Sequence, residues 1–217
     1  MAADPPIEGA IRVTVLRHGE VAGRPHVYRG MLDDPLAPAG LARMRVVAEW
    51  LANPPFDRVA SSPLARCADF ARIFCAERGL PLDLLPAFAE LDFGAWEGLS
   101  PDQAAQRDPE AYSHFRQSAG RVAPPGGESV DRLRRRVSQG WHDWLGELDR
   151  PKTDQGVAGG HRLLVTHAGV MRALLMELIG LPIDHIYRIA LPEAAHFTVS
   201  ILPGAAPVLL AINSCAD

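Results

Sequence analysis

The chain has 217 residues, of which 47% are hydrophobic and 22% are charged, and its formal net charge is −4. This composition excludes disorder as the main state, and the length suits a single domain over residues 1–217. A slightly acidic chain has no general attraction for nucleic acid or an anionic membrane, so we expect neither as a partner.

The N-terminal residues and the cysteines predict a cytoplasmic protein. Residues 1–10 lack the basic and apolar regions of a signal peptide, and no stretch reaches the ~18 apolar residues of a membrane span. Cys67 and Cys75 fall in one predicted helix, about 12 Å apart by helical rise, which is beyond disulfide reach. Together with Cys215 they are interpreted as reduced thiols.

The first predicted element is a buried strand over residues 11–17, because the run is apolar and rich in β-branched residues. The strand ends at Arg17 and His18, and Gly19 then permits a tight turn. In open α/β sheets, ligands bind at the carboxyl ends of the strands. A cation and an imidazole at this position therefore indicate a binding site.

A second strand is predicted over residues 56–60, followed by a helix that runs to Arg78. Ser62 is the predicted N-cap of this helix and Pro63 its first residue, which places Arg66 in the first turn. The cation again follows the carboxyl end of a strand.

A third strand, over residues 163–166, ends at His167 and precedes a helix over 170–179. If the three strands are parallel neighbours, their polar ends meet at one edge of the sheet. Two guanidiniums, two imidazoles and helix N-termini would then surround a pocket. Such a pocket suits a phosphate group, since arginine donates to its oxygens in a bidentate manner and helix amides favour an anion.

The remaining predicted elements alternate between helices, strands and polar loops. They are a loop over 21–38, a helix over 41–51, an edge strand over 82–85, a lid-like insertion around 97–128, a helix over 130–148, a solvated loop over 151–160, and a hairpin of strands 197–202 and 208–212. Four arginines of the long helix, namely Arg132, Arg134, Arg135 and Arg136, are interpreted as a solvated face. An edge strand of the sheet also offers a surface for a homodimer.

Five segments in order along the chain together resemble the histidine phosphatase superfamily, the phosphoglycerate mutase-like group. They are Leu16-Arg17-His18-Gly19-Glu20, residues 61–66 (SSPLAR), residues 90–98 (ELDFGAWEG), residues 126–129 (GGES) and Thr166-His167-Ala168-Gly169. Residues 28–36 and 180–182 look most like the α-ribazole phosphatase branch. The implied fold is a three-layer α/β/α sandwich around a mostly parallel central sheet, and the implied activity is that of a phosphomonoesterase that needs no cofactor or metal.

The resemblance also implies roles for individual residues. His18 would attack phosphorus and form a phosphohistidine, while Arg17, Arg66 and His167 would hold the oxygens of the transferring group. Glu90 would protonate the leaving oxygen and then activate water. Backbone groups of Gly19, Ala168 and Gly169 would line the phosphate site.

The loop after the first strand departs from the family pattern. The family commonly has Thr or Ser after the first Glu and an Asn three residues later, where this chain has Val21 and Arg24. The Asn normally contacts phosphate, so Arg24 or Arg29 is a candidate replacement, although each also fits a solvated loop. Glu128 either lines the pocket or begins the next helix.

Three other functions compete with that of a phosphatase acting on a small phosphorylated substrate. A phosphoglycerate mutase-type isomerase is less favoured, because mutases of the family usually place a basic residue after the catalytic Glu, where this chain has Leu91. A metal-dependent hydrolase would use His18, His167 and Glu90 as ligands. A non-catalytic module that binds phosphorylated ligands would have no need of the His18 and Glu90 pair.

Overall fold

The computed structural model describes residues 9–146 and 160–213. The first eight residues, nearly all of the predicted 151–160 loop and Cys215 lie outside these ranges. The strands are β1 (Ile11–Arg17), β2 (Arg58–Ser61), β3 (Leu82–Leu84), β4 (His161–Thr166), β5 (His196–Ile201) and β6 (Val208–Ile212). The helices are α1 (Pro38–Leu51), α2 (Ala65–Arg78), α3 (Pro101–Arg107), α4 (Pro109–Gln117), α5 (Val130–Gly146) and α6 (Ala168–Ile179), with 3₁₀ turns at Pro86–Phe88, Gly94–Trp96 and Ile183–Arg188.

The six strands form one sheet in the order β3-β2-β4-β1-β5-β6. The first four are parallel, β5 runs antiparallel to β1, and β6 runs antiparallel to β5, which confirms the predicted mostly parallel sheet and the terminal hairpin. β4 lies between β1 and β2, and its Thr166 pairs with Arg17 at the end of β1. The carboxyl ends of these three strands therefore meet at one edge, as the sequence predicts.

Successive side chains of a strand point to opposite faces of the sheet, so a buried parallel strand presents apolar side chains on both faces. Helices cover both of these faces. Val13 and Val15 of β1 pack in one core with residues of α5 and α6, including Trp141 and Trp144. Leu16 belongs to a second core with residues of α1 and α2. The sheet is thus held rigidly between two helical layers, and its edge carries the side chains that follow the strands.

The segment around 97–128 builds a small core of its own beside the sheet. Trp96 is fully buried with Ala104 of α3 and Phe115 of α4, and its Nε1 donates to Asp108 3.1 Å away. α3 begins with a capping box between Ser100 and Gln103. The segment is therefore folded into two helices, and its action as a lid stays a prediction.

The predicted start of α2 is wrong. The helix begins at Ala65, its N-cap is Leu64, and no side chain caps it. Ser62 Oγ instead lies 2.7 Å from His167 Nε2 and accepts a hydrogen bond from the backbone of Leu64 at 3.3 Å. Ser62 thus contacts His167 and does not cap the helix, which local capping preferences do not reveal.

The interpretation of the α5 arginines as a solvated face is correct for Arg132, Arg134 and Arg135 and wrong for Arg136. Arg136 forms an ion pair of 2.7 Å with Glu128, and the two side chains are only 28% and 14% exposed. Glu128 precedes α5 and does not line the main cavity.

Two strands, β3 and β6, have only one neighbour in the sheet. A homodimer through such an edge stays a prediction. No helix within residues 9–146 and 160–213 is long and apolar enough to cross a membrane.

Candidate active site

A cavity of about 260 Å³ opens at the edge where β1, β2 and β4 end. Most of the predicted site residues lie in its wall: Arg17, His18, Arg29, Arg66, Glu90 and Ala168. They come from separate parts of the chain. The parallel sheet brings several of them together, because Arg17 ends β1, Arg66 follows β2 and Ala168 follows β4.

His18 is 5% exposed and lies in the cavity wall directly after β1. Its Nδ1 is 2.8 Å from the carbonyl of Gly19, and since a carbonyl can only accept, Nδ1 carries the hydrogen. Among the described residues Nε2 has no hydrogen-bond partner. Burial, followed by the positive charge of nearby Arg17, lowers the pKa of His18 to about 3. At neutral pH the ring is uncharged, with the Nε2 lone pair available.

A prediction follows for the titration of this ring. Because protonation is disfavoured until pH falls to about 3, we expect no titration of His18 between pH 5 and pH 8. Two-dimensional ¹H–¹⁵N spectra of the imidazoles, with the signal assigned by its loss in a His18→Ala variant, measure this directly. A midpoint near the ordinary histidine value of 6.5 would contradict the described environment.

The guanidiniums of Arg17 and Arg66 are held by backbone carbonyls and not by carboxylates. Arg17 donates from one terminal nitrogen to Leu191 at 2.6 Å, while its buried Nε has no partner among the described residues. Arg66 is fully buried and donates to the carbonyls of Leu32 at 2.6 Å and Gly30 at 2.7 Å. Within residues 9–146 and 160–213, neither guanidinium forms an ion pair with an acid, which favours binding of an anion.

The carboxylate of Glu90 is placed by two backbone amides. Oε1 accepts from Leu91 at 2.9 Å, and Oε2 accepts from Gly169 at 3.3 Å in the first turn of α6. The predicted phosphate donor at Gly169 is therefore already bonded to Glu90, although Gly169 lines the cavity wall together with Ala168.

Replacing Gly169 with alanine tests this placement, because a Cβ there would overlap Oε1 of Glu90. We expect the carboxylate to move and kcat for phosphate release to fall roughly tenfold or more, since small misplacements of a reacting group carry large rate costs. A matched Gly146→Ala variant, at a position where a Cβ meets no atom, is expected to keep the wild-type rate. Wild-type kcat in the Gly169→Ala variant would contradict the proposed dependence on Glu90.

Three of the predicted residues do not line the cavity. His167 is fully buried, and its Nδ1 and Nε2 lie 3.2 Å from Arg66 Nε and 2.7 Å from Ser62 Oγ. The ring lies 5.3 Å from the ring of His18 and bonds to Arg66, and its implied direct contact with phosphate stays a prediction. Gly19 packs against Gly40 and acts on His18 through its carbonyl. Arg24 points at Gly98 and Gln103.

Arg29, by contrast, reaches the cavity wall. Its Nε donates to Asp34 at 2.9 Å, and a terminal nitrogen donates to the carbonyl of Arg24 at 2.5 Å. Of the two candidates for the missing Asn, the structure therefore favours Arg29.

The sequence interpretation did not assign several large side chains of the wall to the site, among them Tyr28, Arg116, Arg172 and Tyr187. Arg172 was detectable, because it follows Ala168 by four residues on the same helix and so lies on the same face. Its Nε donates to the carbonyl of Ile186 at 3.0 Å, and its guanidinium lies 5.2 Å from the ring centroid of Tyr187. Burial lowers the pKa of Arg172 and raises the pKa of Tyr187.

The arrangement combines a nucleophile, cations and a titratable carboxyl group around one cavity. A neutral imidazole, a carboxylate, and guanidiniums that form no ion pair with an acid among the described residues suit transfer of a phosphoryl group. Across the part of the chain described, no three His, Cys, Asp or Glu side chains group closely enough to hold a metal ion.

Comparisons with known proteins agree with this chemistry. The family model described as histidine phosphatase superfamily (branch 1) matches residues 13–214. An adenosylcobalamin/alpha-ribazole phosphatase of Salmonella typhimurium is 29% identical over 210 residues, covering 95% of this chain and 98% of the relative. A glucosyl-3-phosphoglycerate phosphatase of Mycolicibacterium vanbaalenii is 34% identical over 180 residues, covering 80% and 76%. The alpha-ribazole phosphatase of Shigella flexneri superposes with a TM-score of 0.80 at 26% identity, covering 94% and 96% of the two chains.

Proposed function

Because the chain belongs to the histidine phosphatase superfamily, we propose that it is a phosphomonoesterase that hydrolyses a small phosphorylated metabolite through a phosphohistidine intermediate. One observation carries the proposal: His18 is neutral, its Nδ1 is tied to Gly19, and its Nε2 faces a cavity lined by Arg17 and Arg66. An imidazole fixed in this way is ready to act as a nucleophile.

In the first step, Nε2 of His18 attacks phosphorus as the ester P–O bond breaks. The leaving oxygen takes a proton from the carboxyl group of Glu90, which becomes a carboxylate. In the second step, water attacks the phosphohistidine, Glu90 takes a proton from that water, and inorganic phosphate leaves neutral His18 behind. Acid–base catalysis of this kind contributes ~10² to 10⁴-fold.

The negative charge of the transferring group spreads over its equatorial oxygens. Arg17 and Arg66 supply fixed positive charge beside His18, and the N-terminus of α6 at Ala168 adds the favourable end of a helix dipole. His167 serves this site by holding the Arg66 guanidinium, with which it shares a hydrogen bond of 3.2 Å.

For the substrate, we propose α-ribazole phosphate or a related small monoester. The names of the Salmonella and Shigella relatives support this choice, and the aromatic rings of Tyr28, Phe93 and Tyr187 in the wall suit a ring system on the alcohol. The mycobacterial relative is named for a different phosphate ester, so the alcohol has to be identified by assay.

Metal-independent catalysis in the cytoplasm is part of the proposal. Both ring nitrogens of His167 lie within hydrogen-bond distance of Ser62 and Arg66, which does not fit a metal site shared with His18 and Glu90. Cys67 and Cys75 are buried thiols on α2.

The test is phosphate release across a panel of monoesters that includes α-ribazole phosphate, with and without a strong chelator. We expect release from at least one ester, unchanged by chelation, and no interconversion of 3- and 2-phosphoglycerate. Interconversion without phosphate release would indicate a mutase, and loss of activity on chelation would indicate a metal-dependent hydrolase. Binding of phosphate esters without turnover would leave only a binding module.

A further inference from the structure

We infer that Arg136 is a positioning residue for Glu90 and that Glu128 orients Arg136 for this task. The inference rests on the proposed role of Glu90 in the reaction. Neither Arg136 nor Glu128 lines the cavity, so any effect of the pair on the chemistry is indirect.

Glu90 lies on an irregular segment between the 3₁₀ turn Pro86–Phe88 and the turn Gly94–Trp96, outside the sheet. Backbone carbonyls in such a segment need partners from elsewhere. Arg136 of α5 donates to the carbonyls of Ala87 at 2.8 Å, Ala89 at 2.9 Å and Glu90 at 3.0 Å. The carbonyl between them, of Phe88, accepts from the hydroxyl of Thr166 at 2.9 Å. Side chains therefore fix four successive carbonyls that end at Glu90.

Glu128 holds the other side of the guanidinium. Its carboxylate accepts from Nε of Arg136 at 3.2 Å and from a terminal nitrogen at 2.7 Å, a bidentate geometry that only a planar fork provides. The backbone of Glu128 in turn donates to the carbonyl of Asp92 at 2.8 Å. Because the pair is neutral as a whole, its effect on Glu90 is mainly one of position.

The packing of α5 agrees with this assignment. Gly140 lies four residues after Arg136 on the same helix face, and a Cβ there would overlap the side chain of Ala87. The missing side chain lets α5 approach the 86–90 segment closely enough for the Arg136 fork to span three carbonyls. The helix thus holds the segment from which the Glu90 carboxylate meets the backbone amide of Gly169.

The test compares phenyl phosphate with p-nitrophenyl phosphate, which are similar in size but differ in the basicity of the leaving group. Loss of a correctly placed proton donor slows the ester with the more basic leaving group selectively. For Arg136→Lys, which keeps the charge and loses the fork, we expect kcat/KM to fall on the order of tenfold with phenyl phosphate and less than about threefold with p-nitrophenyl phosphate. Arg135→Lys, on the exposed face of the same helix, is the matched control and should leave both values unchanged.

Two further variants keep the test decisive. Glu128→Gln retains Arg136 and weakens its orientation. We expect the same selective loss of kcat/KM with phenyl phosphate, but a smaller one. This variant replaces Arg136→Lys in the test if Arg136→Lys fails to fold. In a Glu90→Gln background, Arg136→Lys should add no further loss, because the group that it positions is already gone. Equal losses for the two esters, or an additional loss in the Glu90→Gln background, would overturn the positioning role alone. No phosphate release by the wild type from any ester of the panel, these two included, would overturn the proposed function itself.

Discussion

Replacing His18 with alanine is expected to abolish measurable hydrolysis, with kcat lowered on the order of 10⁴-fold or more. In the proposed reaction, Nε2 of His18 forms the only covalent bond between the protein and phosphorus. Among the described residues, no other histidine lines the cavity. His167 cannot substitute, because both of its ring nitrogens lie within bonding distance of Ser62 and Arg66.

Quenched reactions with ³²P-labelled substrate measure the same step directly. The wild type should carry an acid-labile, base-stable label, as expected for a phosphorus–nitrogen bond, and the His18→Ala variant should carry none. His142→Ala removes a histidine that is 68% exposed on α5 and serves as the control. A label that persists in the His18→Ala variant would place the nucleophile elsewhere.

Replacing Glu90 with glutamine is expected to lower kcat/KM for phenyl phosphate by roughly a hundredfold and that for p-nitrophenyl phosphate far less. Glutamine keeps the size of the side chain but neither donates a proton to the leaving oxygen nor takes one from water. With p-nitrophenyl phosphate, the slowed second step should appear as a burst of nitrophenolate followed by a slow steady rate.

Rapid-mixing measurements of nitrophenolate check this, and Glu193→Gln is the matched control. Glu193 is an exposed carboxylate whose charge also acts on Arg17, yet it does not line the cavity. If Glu90→Gln slowed both esters equally and gave no burst, the carboxyl group would have no part in proton transfer.

The strand ends were the informative part of the sequence. Three short predicted strands lead into His18, into Ser62 and into His167, and the parallel sheet then determines that their ends meet. This rule needs no knowledge of side-chain contacts. It therefore held for the fold and for the location of the cavity.

What the sequence could not show depends on contacts between distant residues. Ser62 is a good helix cap by local preference, but its hydroxyl lies beside His167, more than one hundred residues later. Arg136 sits among exposed arginines and is distinguished only by the carbonyls around Glu90. Spacing along one helix carries no signal for either contact.

The hydrogen bond between His18 and the Gly19 carbonyl also determines which ring nitrogen becomes phosphorylated. Since Nδ1 holds its hydrogen against that carbonyl, only the tele nitrogen can accept the phosphoryl group, and the pros regioisomer should not form. The ³¹P resonance of a trapped adduct would therefore report, through a single chemical shift, which way the imidazole faces.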